Sequence, residues 1–552
     1  MSSFPDRPPI TISPSWPRGS RSRERSWSMT WRGPMEPRPA GCSASAPWPT
    51  RRPPTVKACR RVNAAAVRAT WSSTSVCYGR SSRARDCPPS SSTTVPSAIR
   101  TDSTISSPPQ AGALMAVSEP RGFRAELERC VACGKCRAVC PVFAVEGAEA
   151  SVARGKLKLL TAAEEGVLDY DAELGHLIDN CLGCRLCVEA CPGGVRTDEL
   201  LYAARERIHH KRGRGLLALF LLRWLLPRRD VLTAVATLIG RLQHWGSRLL
   251  GLFGRPSGDK LSAGQRVQRA LAGLYRLLLP LAGLSPRLVP PTLAREPFTV
   301  GRGELLNEAG SGAERWGLFV GCAVDLGYPT AAAAVVRLAR LAGVTLVAPP
   351  GQVCCGLPAW GSGDRRAANQ LRLRNASAFS DRHLDGVLTA CASCASFLRE
   401  HYDGLLEQTL TLQEFLADKL ERLPLRYDEG LTITWHQPCH LARHLGLDLA
   451  EPLLERLGNY VEMAEKDVCC GGAGSYFAKF PETAAAVGER KARHIIASGA
   501  DVVATACPGC AIQLEAALTR LGADVRVALL GELLVEHLPA TRRPPAVADG
   551  SG

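Results

Sequence analysis

No uninterrupted run of 18 apolar residues occurs anywhere in the 552-residue chain, so a transmembrane helix is not expected. A dinucleotide fingerprint is lacking as well. Gly310, Gly361 and Gly472, for example, each begin a Gly-x-Gly-x-x-Gly pattern that fails at its final glycine, which places any flavin or NAD on a partner and not on this chain. No secretory signal is recognisable at Met1 or Met115. In a chain of this size, closely spaced thiols without such a signal point to metal ligation in a reducing compartment and not to a disulfide scaffold. The cytoplasm is the expected location.

Acidic residues are scarce at the N-terminus. Residues 1–114 hold 17 Lys and Arg against 5 Asp and Glu, which accounts for +12 of the chain's net +16. The other 438 residues carry only +4, so the basic balance is no signature of a nucleic-acid partner, and none is expected. The segment 1–114 is rich in Arg, Ser and Pro and has no sustained period. A basic tail for anionic partners and a transit peptide are two readings of it. The third is a disordered stretch, or one that is not translated, because Met115 directly precedes the residues leading into the first cysteine motif. The expectation is translation from at or near Met115.

What the sequence has in plenty is cysteine. Of 22 residues, 18 lie at or after Cys130, all of them in spaced motifs; Cys42, Cys59, Cys77 and Cys87 are the other four. The run Cys130-x-x-Cys133-x-x-Cys136-x-x-x-Cys140-Pro141 recurs as Cys181-x-x-Cys184-x-x-Cys187-x-x-x-Cys191-Pro192. Both copies match the bacterial ferredoxin spacing, in which the fourth cysteine serves the other cluster. One 4Fe-4S cluster is then expected on Cys130, Cys133, Cys136 and Cys191, and a second on Cys181, Cys184, Cys187 and Cys140. Eight thiols could also make two tetrahedral zinc sites, although zinc motifs seldom use this cadence. Leu157–Thr161 and Glu173–Asn180 read as helical pieces between the copies. Arg154-Gly155-Lys156 adds positive charge that offsets a negative cluster.

A different pattern follows: Cys322, Cys354-Cys355-Gly356 and Cys391-x-x-Cys394, then Cys439, Cys469-Cys470-Gly471 and Cys507-x-x-Cys510. Corresponding positions lie 115 to 117 residues apart, the mark of an internal duplication. The cysteines follow strand-like runs such as Gly317–Val320, Val387–Leu388, Thr432–Trp435 and Val502–Val503, with helical segments such as Ala331–Ala342 between. Strand alternating with helix argues for α/β sheets whose ligands gather beyond the carboxyl ends of the strands, so the five thiols of each repeat should converge. Five exceed what a cubane or a zinc ion needs, which points to one or two further, irregular iron-sulfur clusters. A redox dithiol at each Cys-x-x-Cys, or a zinc site using four of the five, are the alternatives. His436 and His440 flank Cys439, and neither is assigned a ligand role.

The expected fold class is α/β plus a small α-helical ferredoxin-like module, with two tandem α/β cysteine-rich domains. The expected divisions are an extension at 1–114, the two-cluster module at 120–210, a basic amphipathic linker at 211–310, and cysteine-rich domains at 311–425 and 430–540. In the linker, Leu, Trp224 and Trp245 are expected on apolar faces with arginines opposite. That pattern suits attachment to an anionic membrane or packing against neighbouring protein.

With Cys191-Pro-Gly-Gly-Val-Arg196, Cys354-Cys-Gly-Leu-Pro358, His436-Gln-Pro-Cys-His440 and Cys469-Cys-Gly-Gly-Ala-Gly474 in this order, residues 120–540 resemble the iron-sulfur subunit of glycolate oxidase. Related subunits serve lactate and anaerobic glycerol-3-phosphate dehydrogenases, and the cysteine-rich subunit of heterodisulfide reductase is a further relative. The resemblance implies a subunit that carries electrons from a flavoprotein oxidising a 2-hydroxy acid toward the quinone pool, at the inner face of the cell membrane, and is not catalytic alone. Subunits of the glycolate oxidase type can lack a cysteine in the repeats, whereas both repeats here have all five. That completeness is similar to heterodisulfide reductase, whose noncubane clusters cleave disulfides, and implies disulfide reduction as a second reading. A scaffold whose metals only stabilise the fold is the third.

Overall fold

The structure is a computed structural model that describes residues 122–539 apart from 214, 252–260, 282–284, 308–312, 381 and 418. The segment 1–114 with its four cysteines, and the start expected at Met115, lie outside the described residues.

From residue 123 to residue 212 every regular element is helical. Asp171 starts one helix, Ala172–Asp179, by accepting the Leu174 amide at 2.9 Å, a side-chain cap for an otherwise unpaired donor. Helical spacing directs Leu157 and Leu160 of Ala153–Glu164, Leu174 and Ile178 of Ala172–Asp179, and Leu200, Leu201 and Ala204 of Thr197–Arg212 into one core. That core is the floor on which both cysteine motifs rest, with Cys130, Cys181 and Cys191 packed against it.

Two long helices, Arg229–Gly251 and Ala263–Leu281, occupy the linker. The first packs inward through small residues. Ala236 is buried, and a Cβ on Gly240 would lie 2.2 Å from the Ala294 carbonyl oxygen. Its large apolar residues point outward: Trp245 is 65% exposed, Leu238 61% and Leu242 57%. The apolar face is as expected, but the arginines are not opposite it. Arg241 and Arg248 are exposed beside Trp245 at helical spacing. Among the described residues no helix is long and apolar enough to cross a membrane.

The remainder forms two sheets. In the first, β1 (Leu305–Asn307), β2 (Arg315–Leu318), β3 (Thr345–Val347), β4 (Gly386–Thr389) and β5 (Leu410–Thr411) run in the order β1-β3-β2-β4-β5. In the second, β6 (Asp428–Trp435), β7 (Gly458–Tyr460), β8 (Val502–Thr505) and β9 (Arg526–Leu529) run β7-β6-β8-β9. All pairings are parallel except β1 with β3. The shared order β3-β2-β4-β5 and β7-β6-β8-β9 is the duplication seen in the cysteine spacing. β1 lies inside the stretch expected as linker and supplies the added antiparallel edge. The central strands are short, fully buried β-branched and leucine-rich runs such as Val502–Thr505, as strands covered on both faces should be.

Candidate metal centres

Every cysteine from Cys130 to Cys510 is a free thiol, and the two ferredoxin-type loops follow one backbone path. Ala132 and Gly134 flank Cys133 with φ of 55° and 80°, and Gly183 and Arg185 flank Cys184 with φ of 65° and 60°. This alternating left-handed path turns successive thiols toward one point. It is imposed even on Ala132 and Arg185, whose Cβ atoms disfavour it.

Cys140, Cys181, Cys184 and Cys187 line one cavity, closed by Pro141, Leu186 and Leu201. The fourth cysteine of the first motif thus stands with the first three of the second. At the other end, Arg129 donates to the Gly193 carbonyl at 2.7 Å, which draws the Cys191 turn alongside Cys130. The Cys136 and Cys187 thiols are close enough to interact electrostatically, so the two groups adjoin.

One cation serves each group. Arg154 donates to the Ala132 carbonyl at 3.3 Å and interacts with Cys130 and Cys136. Lys156 is 1% exposed, donates to the Ala150 and Leu177 carbonyls at 2.7 Å each, and faces Cys140 and Cys181. Gly155 lets them diverge, because a Cβ there would lie 2.0 Å from the Glu149 carbonyl oxygen.

In the cysteine-rich domains the thiols sit where loops leave strands. Cys322 follows β2 and Cys391 follows β4, the two strands between which the chain order reverses, and Cys439 and Cys507 repeat this after β6 and β8. Gly356 at φ 104° and Gly471 at φ 86° give the sharp turn that brings both sulfurs of each Cys-Cys pair inward. Thiol contacts then run without a break: Cys322 to Cys354 at 3.8 Å, on to Cys355, Cys394 and Cys391. The second repeat runs Cys439, Cys469, Cys470, Cys510 and Cys507. Cys391 and Cys507 join the two series across the domain boundary. Ser393 bridges there too, 3.0 Å from the Cys507 sulfur and 3.1 Å from His440 Nδ1. At the far end Cys439 and Cys469 pack with Cys184 and Leu186.

Burial pushes the Cys140 thiol up to about 11 and the Cys184 and Cys187 thiols up as well, each reinforced by neighbouring thiols. Cys355 is the opposite case: contacts from Cys354 and Cys394 hold it down at about 5. So many sulfurs in a dry space ionise together only if cations enter between them. Iron-sulfur clusters fit this donor set: soft thiolates in groups, a cavity lined by four of them, and a fixed Arg or Lys beside each ferredoxin-type group. In redox work such clusters carry single electrons.

One residue set aside on sequence stands within this array. His436 is fully buried, and both ring nitrogens lack a hydrogen-bond partner. Its ligand atom and those of Cys470 and Cys510 lie within 4.8 Å of one another. The three-residue spacing to Cys439 was the available signal.

Fold and thiol array together define a multi-cluster iron-sulfur protein of the oxidoreductase class. The cysteine-rich domain model matches residues 316–399 and 433–515, and the 4Fe-4S dicluster domain model matches 126–195. A probable glycolate oxidase iron-sulfur subunit of Bacillus subtilis is 28% identical over 436 residues, covering 74% of this chain and 94% of that protein. Lactate utilization protein A of Geobacillus kaustophilus is 31% identical over 233 residues, covering 39% of this chain and 97% of that protein. A subunit of the dihydromethanophenazine:CoB--CoM heterodisulfide reductase of Methanosarcina barkeri is 24% identical over 446 residues, covering 75% and 94%. The chain belongs to the family of cysteine-rich-domain iron-sulfur proteins that includes the glycolate oxidase iron-sulfur subunit and lactate utilization protein A.

Proposed function

We propose that this chain is the electron-transfer subunit of a flavin-dependent dehydrogenase for a 2-hydroxy acid such as glycolate or lactate, passing electrons from a flavoprotein toward the quinone pool. Cys130, Cys133, Cys136 and Cys191 hold one 4Fe-4S cluster, and Cys181, Cys184, Cys187 and Cys140 hold the other. Cys322, Cys354, Cys355, Cys391 and Cys394 hold a further cluster, as do Cys439, Cys469, Cys470, Cys507 and Cys510. The observation that carries the reading is the continuity of the sulfur series, from the ferredoxin-type groups through Cys184 to Cys439 and Cys469 and across Cys391 and Cys507. Such a series is a path for single electrons through the chain.

The outward apolar face of Arg229–Gly251 supports contact with an anionic membrane on its cytoplasmic side. Residues 211–292 hold 14 Lys and Arg against 2 Asp and Glu. Among the described residues Arg241, Arg248 and Arg276 have no acidic partner. An exposed Trp and Leu face flanked by unpaired arginines matches a helix lying in the lipid interface.

Anaerobic reconstitution tests the function. The isolated chain should contain no flavin and should not oxidise glycolate or lactate; adding the flavoprotein should make the hydroxy acid bleach the cluster absorbance. If the chemically reduced chain is instead reoxidised catalytically by a small disulfide, the cysteine-rich domains are an active site and electron transfer is not the function. The burial of nine of their ten thiols favours the first outcome.

A further inference from the structure

The two cysteine-rich domains correspond residue by residue at the mouths of β2 and β6, and at one buried position their chemistry differs. Phe319 donates its amide to the Leu388 carbonyl at 2.9 Å, and His436 donates its amide to the Ala504 carbonyl at 2.9 Å. Each stands three residues before the first cysteine of its repeat. Phe319 is fully buried and stacks on Phe379 at 6.1 Å, an apolar solution to an apolar site. An imidazole in the same place carries two polar atoms into a fully buried site. Leaving each unpaired is unfavourable, a cost that is removed if the ring meets a ligand that protein atoms do not supply.

What lies before the ring names the ligand. Cys470 and Cys510 are its neighbours at ligating separation, and all three are buried. The nearby cation Lys491 is already engaged, donating to the Glu465 carbonyl. The Lys466 backbone, whose carbonyl accepts the Gln437 amide at 3.0 Å, is close enough to interact with the ring but does not meet hydrogen-bond geometry. A ring with one nitrogen toward metal and the other toward a backbone carbonyl is the usual setting of a metal-bound histidine.

We propose that His436 is a nitrogen ligand to iron in the cluster of the second cysteine-rich domain, which thereby has a mixed thiolate and imidazole shell, whereas the first domain, with Phe319 in that place, is ligated by thiolate alone. The inference rests on the reading that the second domain holds a cluster. The second domain then offers its cluster six donors, five thiolates and one neutral nitrogen, against five thiolates in the first. The cluster with the mixed shell is then the one adjoining the ferredoxin-type module, because Cys439 and Cys469 are the thiols that pack on Cys184. The two halves of the duplication are electronically unequal by one side chain.

The test uses the full chain, purified anaerobically with its clusters and labelled with 15N-histidine. Pulsed electron paramagnetic resonance of the reduced protein should show a strong nitrogen hyperfine coupling that changes with the isotope. The coupling should vanish in His436→Phe, which installs the first domain's residue, and persist in His440→Asn. His436→Cys, which puts a thiolate donor in place of the nitrogen, should retain iron and shift the cluster to lower potential. Absence of a histidine coupling in the wild-type protein, or its survival in His436→Phe, overturns the proposal. Iron and acid-labile sulfide no greater than two cubanes require would instead overturn the cluster reading on which it rests; a larger content without the coupling refutes only the role of His436.

Discussion

Arg185, in the loop of the second ferredoxin-type motif, donates to Glu400 of the first cysteine-rich domain at 2.6 Å, while its Nε donates to Asp198 at 2.6 Å. His444 of the second cysteine-rich domain lies 3.2 Å from the same Glu400 oxygen, so one carboxylate ties three units together beside Cys184. Burial raises the Glu400 pKa, but the contact from His444 and the charge of Arg185 outweigh it and hold the carboxyl at about 2.

A depressed carboxylate stabilises the fold above its unfolded pKa, near 4.5, and that contribution is lost as pH falls through about 2. Glu400→Gln should therefore cost roughly 1–3 kcal/mol, with a penalty that does not fade from pH 8 down to pH 5, where the carboxyl stays ionised in the fold. Anaerobic denaturant titrations at pH 8, 6.5 and 5 check this. A penalty that fades between pH 8 and pH 5 would contradict the assignment.

Arg154 and Lys156 each serve a different cysteine group. Removing the buried Lys156 charge should lower the potential of the cluster beside Cys140 and Cys181 and leave its neighbour nearly unchanged; Arg154→Ala should do the reverse. Lys156→Met should also destabilise the module by about 3 kcal/mol, since the Ala150 and Leu177 carbonyls lose their donor. Potentiometric titration resolved by cluster signal is the measurement.

Much of this was legible in the sequence because metal ligands must be close in space and short loops bring them there, so Cys-x-x-Cys cadence and the 115- to 117-residue repeat translate almost directly into geometry. The strand before each cysteine could be read from runs such as Thr432–Trp435. Other features follow no local rule. Periodicity gives Arg229–Gly251 an apolar face but does not say which way it points; the buried Ala236 and Gly240, the latter close against Ala294, turn the large residues outward. The left-handed φ of Ala132 is set by the loop around the thiols and runs against the residue's own preference. The meeting of Cys391 with Cys507 is a contact between repeats, and spacing within one repeat cannot foretell it.

Glu515 is 2% exposed and accepts from Ser262 at 2.9 Å and from Tyr328 at 3.2 Å, tying the helix Pro508–Leu521 to the start of Ala263–Leu281. Burial pushes its carboxyl up to about 7. Here the sign is opposite to that of Glu400: a raised folded pKa gives stability that is full below the unfolded value near 4.5 and is lost as pH rises through about 7. Glu515→Gln keeps both hydrogen bonds without the charge. It should match the wild type at the acid end and exceed it at pH 8 by up to about 3 kcal/mol. Thermal unfolding of the two proteins at pH 4.5 and pH 8 decides; a variant less stable at pH 8 would show that the carboxylate itself is wanted.

The outward face of Arg229–Gly251 supplies the remaining prediction. Val235, Leu238, Ile239, Leu242, Trp245 and Leu249 are all exposed and recur at helical spacing, so they share one side of the helix. Water-facing apolar residues contribute nothing to the stability of the free chain, and replacing them should cost the fold nothing. They do contribute if they enter an interface: burying a side chain of this size is worth about 1.5–3 kcal/mol. Leu242→Glu with Trp245→Glu should then leave cluster content and melting temperature unchanged while weakening adhesion to vesicles containing anionic lipid by at least about tenfold. Arg241→Gln with Arg248→Gln should weaken it less, and only at low salt, because exposed charge is screened. Flotation with anionic and with zwitterionic vesicles, at low and high ionic strength, separates the two contributions. If the wild type floats with neither, and the double glutamate variant instead loses its flavoprotein partner, the face belongs to a subunit contact and the bilayer reading fails.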